Sequence, residues 1–206
     1  MKFVNIIARN IKKRSLKSDL FKMIEVSEDK VVATNGYWIV VDRAVEKSNS
    51  GKYYLNVFTL EKKTETDFPN YSSILFDRDE IILTKPDIKK MIEIYDVLKI
   101  GSSIKFIIEN EKLYVSGISI QEKGINLDFN TKIEIGQVTI KNITSEFGFG
   151  YCTFVCLIDL IKFHKVYNLE LAIKETEIEH LKTKDKVFFI KFKNTYFDFY
   201  VCAKTI

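Results

Sequence analysis

The stretch KVVATNGYWIVV, residues 30–41, decides how this chain reads. Two runs of β-branched and aromatic residues are interrupted by Thr34, Asn35 and Gly36. Asn-Gly readily takes the positive φ angles that two-residue β turns demand, so the stretch predicts a hairpin with Asn35-Gly36 at its tip. The question that works outward from it is what such a hairpin packs against.

Three helical patterns answer. In FVNIIARNIKK, residues 3–13, Phe3, Ile7 and Ile11 recur at i, i+4, i+8, opposite Arg9, Lys12 and Lys13. In KPDIKKMIEIYDVL, Pro86 suits the first helical position and Asp87 the first turn. Ile88, Met91, Ile92 and Tyr95 then form its apolar stripe, opposite Lys89, Lys90 and Glu93. In TFVCLIDLIKFHK the stripe is Phe154, Leu157, Ile158 and Ile161, with Asp159, Lys162 and Lys165 outside it. This third helix is apolar on more of its circumference, which predicts the deepest burial.

Each helix is followed by period-two strands. DLFKMIEV, KVVAT, YWIVV and KYYLNVF follow the first. SIKFIIE, with Ile104, Phe106 and Ile108 inward, then KLYVSGI and GINLDF follow the second. LELAIK, VFFIKFK, a turn at Asn194-Thr195 and YFDFYVCA follow the third. A helix and three or four antiparallel strands, recurring every roughly 50 to 70 residues, predict an α+β fold of repeated helix-plus-antiparallel-strands units. EKKTETDFPNYSS, residues 61–73, separates the first unit from the second, and KIEIGQVTIKNI carries a further strand pattern before the third.

At 206 residues, 46% hydrophobic and 29% charged, the chain can bury a sizeable core. Its 32 basic and 28 acidic side chains leave +4, so the placement of charge matters more than its sum. No apolar run approaches the roughly 20 residues of a membrane span, and no secretory leader opens the sequence, so a cytoplasmic protein without membrane partners is expected. Cys152, Cys156 and Cys202 form no CxxC pair, and His164 and His180 fall in no HExxH spacing. Neither a metal, a cofactor nor an enzyme is expected. The acidic group Asp77, Asp79 and Glu80 is the alternative metal binder, against the plainer reading of a polar turn.

With the repeat on the page, VATNGYWIVV resembles the VATDGHRLAV signature of the bacterial sliding clamp, the β subunit of DNA polymerase III, and of its small phage-encoded relatives. FPNYSSIL, residues 68–75, resembles that family's FPDY segment, and GFGYCTFVCLIDLIKFHKVYNLELAI, residues 148–173, is similar to its final helix-and-strand unit. FYVCAKTI occupies the place of its C-terminal strand. The resemblance implies a non-enzymatic ring of helix-bearing units that encircles double-stranded DNA and tethers a polymerase. For this chain it implies a clamp-like domain at 1–130, with units at 1–60 and 77–130, and a shortened second one at 131–206. If a ring needs about twelve such units, head-to-tail closure makes a homo-oligomer of three or four chains.

Two sets of site residues follow from the resemblance. Arg9, Lys12, Lys13, Lys89, Lys90, Lys162 and Lys165 are the expected DNA-facing cations, although lysines on the open face of an amphipathic helix are also ordinary. Thr34, Gly36, Ile39, Pro69, Ile74, Tyr200 and Cys202 are the expected lining of a pocket for peptide motifs of the polymerase and the clamp loader, with plain core as the other reading of Ile39 and Ile74. Asn35 replaces the family's acidic residue, and Tyr37-Trp38 replace His-Arg, which makes the expected rim more aromatic and less charged. FPNY also follows ATNG sooner than in cellular clamps, which have a whole helix-strand unit between them. The competing reading is a clamp-like adaptor that binds replication proteins without encircling DNA.

Overall fold

The computed structural model describes residues 2–12, 19–45, 51–72, 74–75, 81–97, 103–118, 120–122, 125–127, 132–139, 145–180 and 183–205. Helix α1 is Lys2–Lys12, α2 is Ile88–Val97 and α3 is Tyr151–His164. After α1 come a 3-10 turn at Asp19–Lys22 and strands β1 (Met23–Val26), β2 (Val31–Thr34), β3 (Trp38–Asp42), β4 (Tyr53–Asn56) and β5 (Lys62–Lys63). Strand β6 (Ile81–Thr84) leads into α2, which is followed by β7 (Ser103–Glu109), β8 (Lys112–Ile118), β9 (Ile120–Glu122), β10 (Ile125–Leu127) and β11 (Ile133–Gln137). Strand β12 (Ser145–Gly150) leads into α3, followed by β13 (Glu170–His180), β14 (Thr183–Lys193) and β15 (Phe197–Thr205).

The fold is α+β and antiparallel throughout its described pairings. Strand β15 is the junction. One edge pairs with β14 from Asp198 to Lys204, while the other is shared between β3, at Phe197 to Val201, and β12, at Lys204 and Thr205. From that fork one arm runs β3-β2-β1-β4-β5, a second runs β12-β7-β8-β11, and a third runs β14-β13-β6. Strands on both sides of residue 130 therefore share one sheet, since β11 pairs with β8 and β12 with β7. The second and third arms meet where the Thr84 hydroxyl donates to the Gln137 carbonyl, 2.5 Å away. Gly136 permits that approach, because a Cβ there would lie 2.8 Å from the Thr84 oxygen.

The three helices pack side by side, with α3 in contact with both α1 and α2. Phe154, Val155, Cys156, Leu157, Ile158, Leu160 and Ile161 of α3 are all buried, as its broad apolar circumference predicts. Phe3, Ile7 and Ile11 of α1 join the same core. In α2 the buried pair is Met91 and Ile94, with Ile88, Ile92 and Tyr95 at the margin, so the stripe is rotated from the predicted one. Asp87 stands before the helix rather than in its first turn; its carboxylate accepts the Lys90 N–H at 3.1 Å, as an N-cap does.

Strands β1, β2 and β3 are buried at every position, because both faces of this arm are covered. Trp38, Val40, Phe199 and Val201 point into the helix-side core. Val32, Ile39, Val41 and Tyr200 form a second, smaller cluster with Phe68, Tyr71, Ile74 and Leu75, which lie across the outer face. The FPNY segment thus acts as a strap over the sheet. Each apolar side chain it hides contributes about 1.5–3 kcal/mol.

Candidate functional site

The β2–β3 hairpin differs from its expected form in one respect. Of its tip residues only Gly36 has a positive φ, +82°, so the tip is Gly36-Tyr37 and Asn35 closes it. Asn35 accepts the Tyr37 and Trp38 N–H groups at 3.0 and 3.1 Å through its side-chain oxygen, and the Thr34 hydroxyl donates to the Trp38 carbonyl at 2.7 Å. These bonds fix the tip rigidly, with Tyr37 53% exposed beside it.

Thr34, Gly36, Ile39, Pro69, Ile74 and Tyr200 line one cavity of about 210 Å³. Residues from three distant stretches of the chain thus converge on one concavity. Of the seventh expected member, Cys202, the backbone lies in β15 opposite Phe189, and its side chain is outside the described part. The early position of FPNY does not separate it from the hairpin, because the strap crosses directly over β2, β3 and β15. Phe21, Tyr37, Trp38, Asn70 and Tyr71 complete the wall. Phe21 escapes a reading of strand periodicity because it sits in the 3-10 turn before β1; a Cβ on Gly36 would lie 3.1 Å from its ring.

Among the described residues the lining carries no Lys, Arg, Asp or Glu. Two donors at this end, Trp38 Nε1 and Asn35 Nδ2, are buried with no acceptor among the described residues. An apolar hollow of this size suits a few side chains of a short apolar segment. The strap is tied down through Glu25, which accepts from the Tyr71 hydroxyl at 2.8 Å and pairs with Lys52 at 2.8 Å. Burial, reinforced by the bond to Glu25, pushes the Tyr71 phenol well above its ordinary range. The same carboxylate raises Lys52, chiefly through their hydrogen bond.

The expected DNA-facing cations are dispersed among several settings. Arg9 and Lys162 border one groove between α1 and α3, together with Lys2. Arg9 pairs there with Asp159 at 3.0 Å, and Asn10 donates to the same carboxylate at 3.0 Å. The Lys162 ammonium lies 4.7 Å from the Tyr95 ring centre, bridging α3 to α2. Lys89 and Lys90 are exposed on α2, with Lys90 donating to the Glu134 carbonyl at 3.0 Å. Lys165 lies elsewhere, at the C-terminus of α3 in a polar basin. Lys12 ends α1 with its side chain outside the described part, and Lys13, like Asp77, Asp79 and Glu80, lies outside the described residues.

Among the described residues no three His, Cys, Asp or Glu side chains are grouped to hold a metal ion, and no helix is long and apolar enough to cross a membrane. Cys152 and Cys156 lie on α3 outside any disulfide, Cys156 buried.

No protein-family model matches the sequence, and no curated protein matches it. Solved structures do. The Helicobacter pylori β clamp bound to a DNA ligase peptide superposes over 100% of this chain and 63% of its own, with a TM-score of 0.63 at 14% identity. The Caulobacter crescentus DNA polymerase sliding clamp does so with a TM-score of 0.59 at 10% identity, over 100% and 64% of the two chains. DNA polymerase III subunit β from Borrelia burgdorferi gives 0.62 at 13%, over 100% and 60%. The chain spans less than two thirds of the length of these clamps. Its architecture is therefore that of the bacterial sliding-clamp fold.

Proposed function

We propose that this chain is a small processivity clamp, of the kind carried by phages and mobile elements, that closes into a homo-oligomeric ring around double-stranded DNA in the cytoplasm and tethers replication proteins by short peptide motifs. The observation that carries the reading is the convergence of Thr34, Gly36, Ile39, Pro69, Ile74 and Tyr200 on one cavity, uncharged among its described lining residues. A pocket of this size takes a few side chains, enough for a transient tether rather than a permanent interface. In the ring, Arg9, Lys89, Lys90 and Lys162 meet phosphates weakly enough to slide, since Arg9 is already half-satisfied by Asp159. No chemical step is assigned to any residue.

That pairing of Arg9 also favours a second reading, an adaptor that keeps the pocket and leaves DNA alone. Two measurements separate them. A ring retained on closed circular DNA in high salt must fall off when the circle is cut, and its mass by light scattering must be a multiple of the 24.1 kDa chain. A monomer that binds peptide but is not retained on circles is the adaptor. A Gly36→Val protein that titrates a clamp-motif peptide normally would remove the pocket from both.

A further inference from the structure

A second hairpin repeats the chemistry of the first. At the β14–β15 tip, Asn194 accepts the Tyr196 and Phe197 N–H groups through its side-chain oxygen at 2.7 and 3.1 Å, and its own N–H donates to the Phe197 carbonyl at 3.1 Å. Because β15 runs antiparallel to β3, this tip lies at the opposite end of their ladder from Gly36. It borders a basin of about 740 Å³, within the range of small-molecule sites.

The basin is cationic. Among the described residues Arg43, Lys85, Lys165, Lys191 and Lys193 line it, together with the carboxylates Glu170 and Asp198. Each carboxylate is shared by two cations. Asp198 pairs with Arg43 and lies 3.8 Å from Lys191, and Glu170 lies 3.6 Å from Lys85 and 3.8 Å from Lys193. Sharing holds Arg43, Lys85, Lys191 and Lys193 in place, and among the described lining residues cations outnumber carboxylates. Asn194 Nδ2, on the same wall, is buried with no acceptor among the described residues. Tyr196, 41% exposed, lies parallel to the His164 ring, with centroids 5.5 Å apart and planes 6° from parallel. His164 is itself fixed by Asp42 at 2.5 Å. Tyr167, 85% exposed, stands across the basin.

We propose that this basin binds a nucleotide unit, its phosphate among Lys85, Lys165 and Lys193 and its base stacked on Tyr196. Lys85 and Lys193, held by their shared Glu170, and Lys165 beside them recognise phosphate, and an aromatic ring backed by a second ring offers a stacking platform that tolerates any base. Asn194 supplies a donor for a base or phosphate oxygen. The same chemistry serves a free nucleotide or an unpaired link in a single strand. The inference stands on the basin alone and does not require a ring.

The test is fluorescence anisotropy at low salt with a labelled mononucleotide and a labelled oligothymidylate. Binding of the oligonucleotide alone identifies a single strand as the source, and binding of the mononucleotide identifies a free nucleotide. In either case Tyr196→Leu weakens binding about fivefold or more. For the strand, Lys85→Gln with Lys193→Gln also lowers the salt slope by about 1.4, as the loss of two phosphate contacts requires. Peptide titration at the Gly36 pocket and the melting temperature report that each variant is folded. The proposal is overturned if neither probe binds, if the folded variants bind as the parent does, or if inorganic tripolyphosphate competes fully while Tyr196→Leu has no effect.

Discussion

The β2–β3 and β14–β15 hairpins close in the same way and open onto opposite chemistry. Both tips read Asn-X-Tyr-aromatic, NGYW at 35–38 and NTYF at 194–197, and both asparagines cap the two residues that end the turn. At the first, the described residues that line the hollow are all uncharged. At the second, the strand ends supply Arg43, Lys191, Lys193 and Asp198. One local device therefore serves two surfaces, and the neighbours brought to it by the sheet decide what it can hold.

The largest expected effect falls at the polar end. Asp42 is fully buried at the end of β3, where its carboxylate accepts the Ala44 and Val45 N–H groups at 2.9 and 3.0 Å and holds His164. Asp42→Ala strips three partners at once and is expected to cost about 3 kcal/mol in urea unfolding. A loss below about 1 kcal/mol would mean that this end is not held through Asp42.

Next comes the residue in which the two tips differ. Gly36 has φ +82° and faces Phe21, whereas Thr195 has no positive φ and is exposed. Gly36→Val is expected to cost about 1–2 kcal/mol and to abolish peptide binding. Thr195→Val should stay within about 0.5 kcal/mol and leave the peptide titration unchanged. Equal effects at the two tips would dissolve the distinction between them.

A smaller effect concerns the strap. Tyr71→Phe removes the bond to Glu25 and should cost about 1 kcal/mol at neutral pH. Its signature lies in the alkaline limb. The folded phenol titrates above its ordinary value of 10.0, so the stability it contributes is complete below that pH. As pH rises past that value the unfolded chain ionises first, and the contribution is lost on the way up to the folded pKa. Lys52, also raised, acts in the same direction. Unfolding curves from pH 9 to 11 should therefore fall less steeply for Tyr71→Phe than for the parent. Parallel curves would show that the phenol is not held by Glu25 in solution.

The two ends were unequally legible in the sequence. Periodicity locates α1, α2, α3 and the hairpins, because burial on one face leaves a period in the residues. The pocket residues came from motif resemblance, and their meeting depends on the strap crossing the outer face of β3, which no local pattern encodes. Strands β6 and β12 leave no readable period because each is a short lead-in to a helix, and the fork at β15 leaves none because pairing between units has no local pattern. The basin was dispersed over positions 43, 85, 165, 191 and 193. Its one local trace is KFK at 191–193, where alternation sets two lysines on the same face of β14 against the buried Phe192.

The smallest effect sets stability against binding at one residue. Lys165 follows α3 with φ 52° and ψ 48°, a left-handed conformation that glycine adopts without the Cβ penalty. The next N–H, of Val166, still reaches the Ile161 carbonyl at 3.0 Å, so the helix end is properly closed and the strain belongs to the side-chain-bearing residue itself. Lys165→Gly should therefore raise stability by about 0.5–1 kcal/mol. If Lys165 also belongs to a phosphate-binding basin, the same variant must bind the nucleotide probe more weakly while melting higher. A variant that melts higher and binds unchanged would leave Lys165 as a helix terminus and nothing more; one that melts lower would show that the lysine makes a contact at the basin wall worth more than its backbone strain.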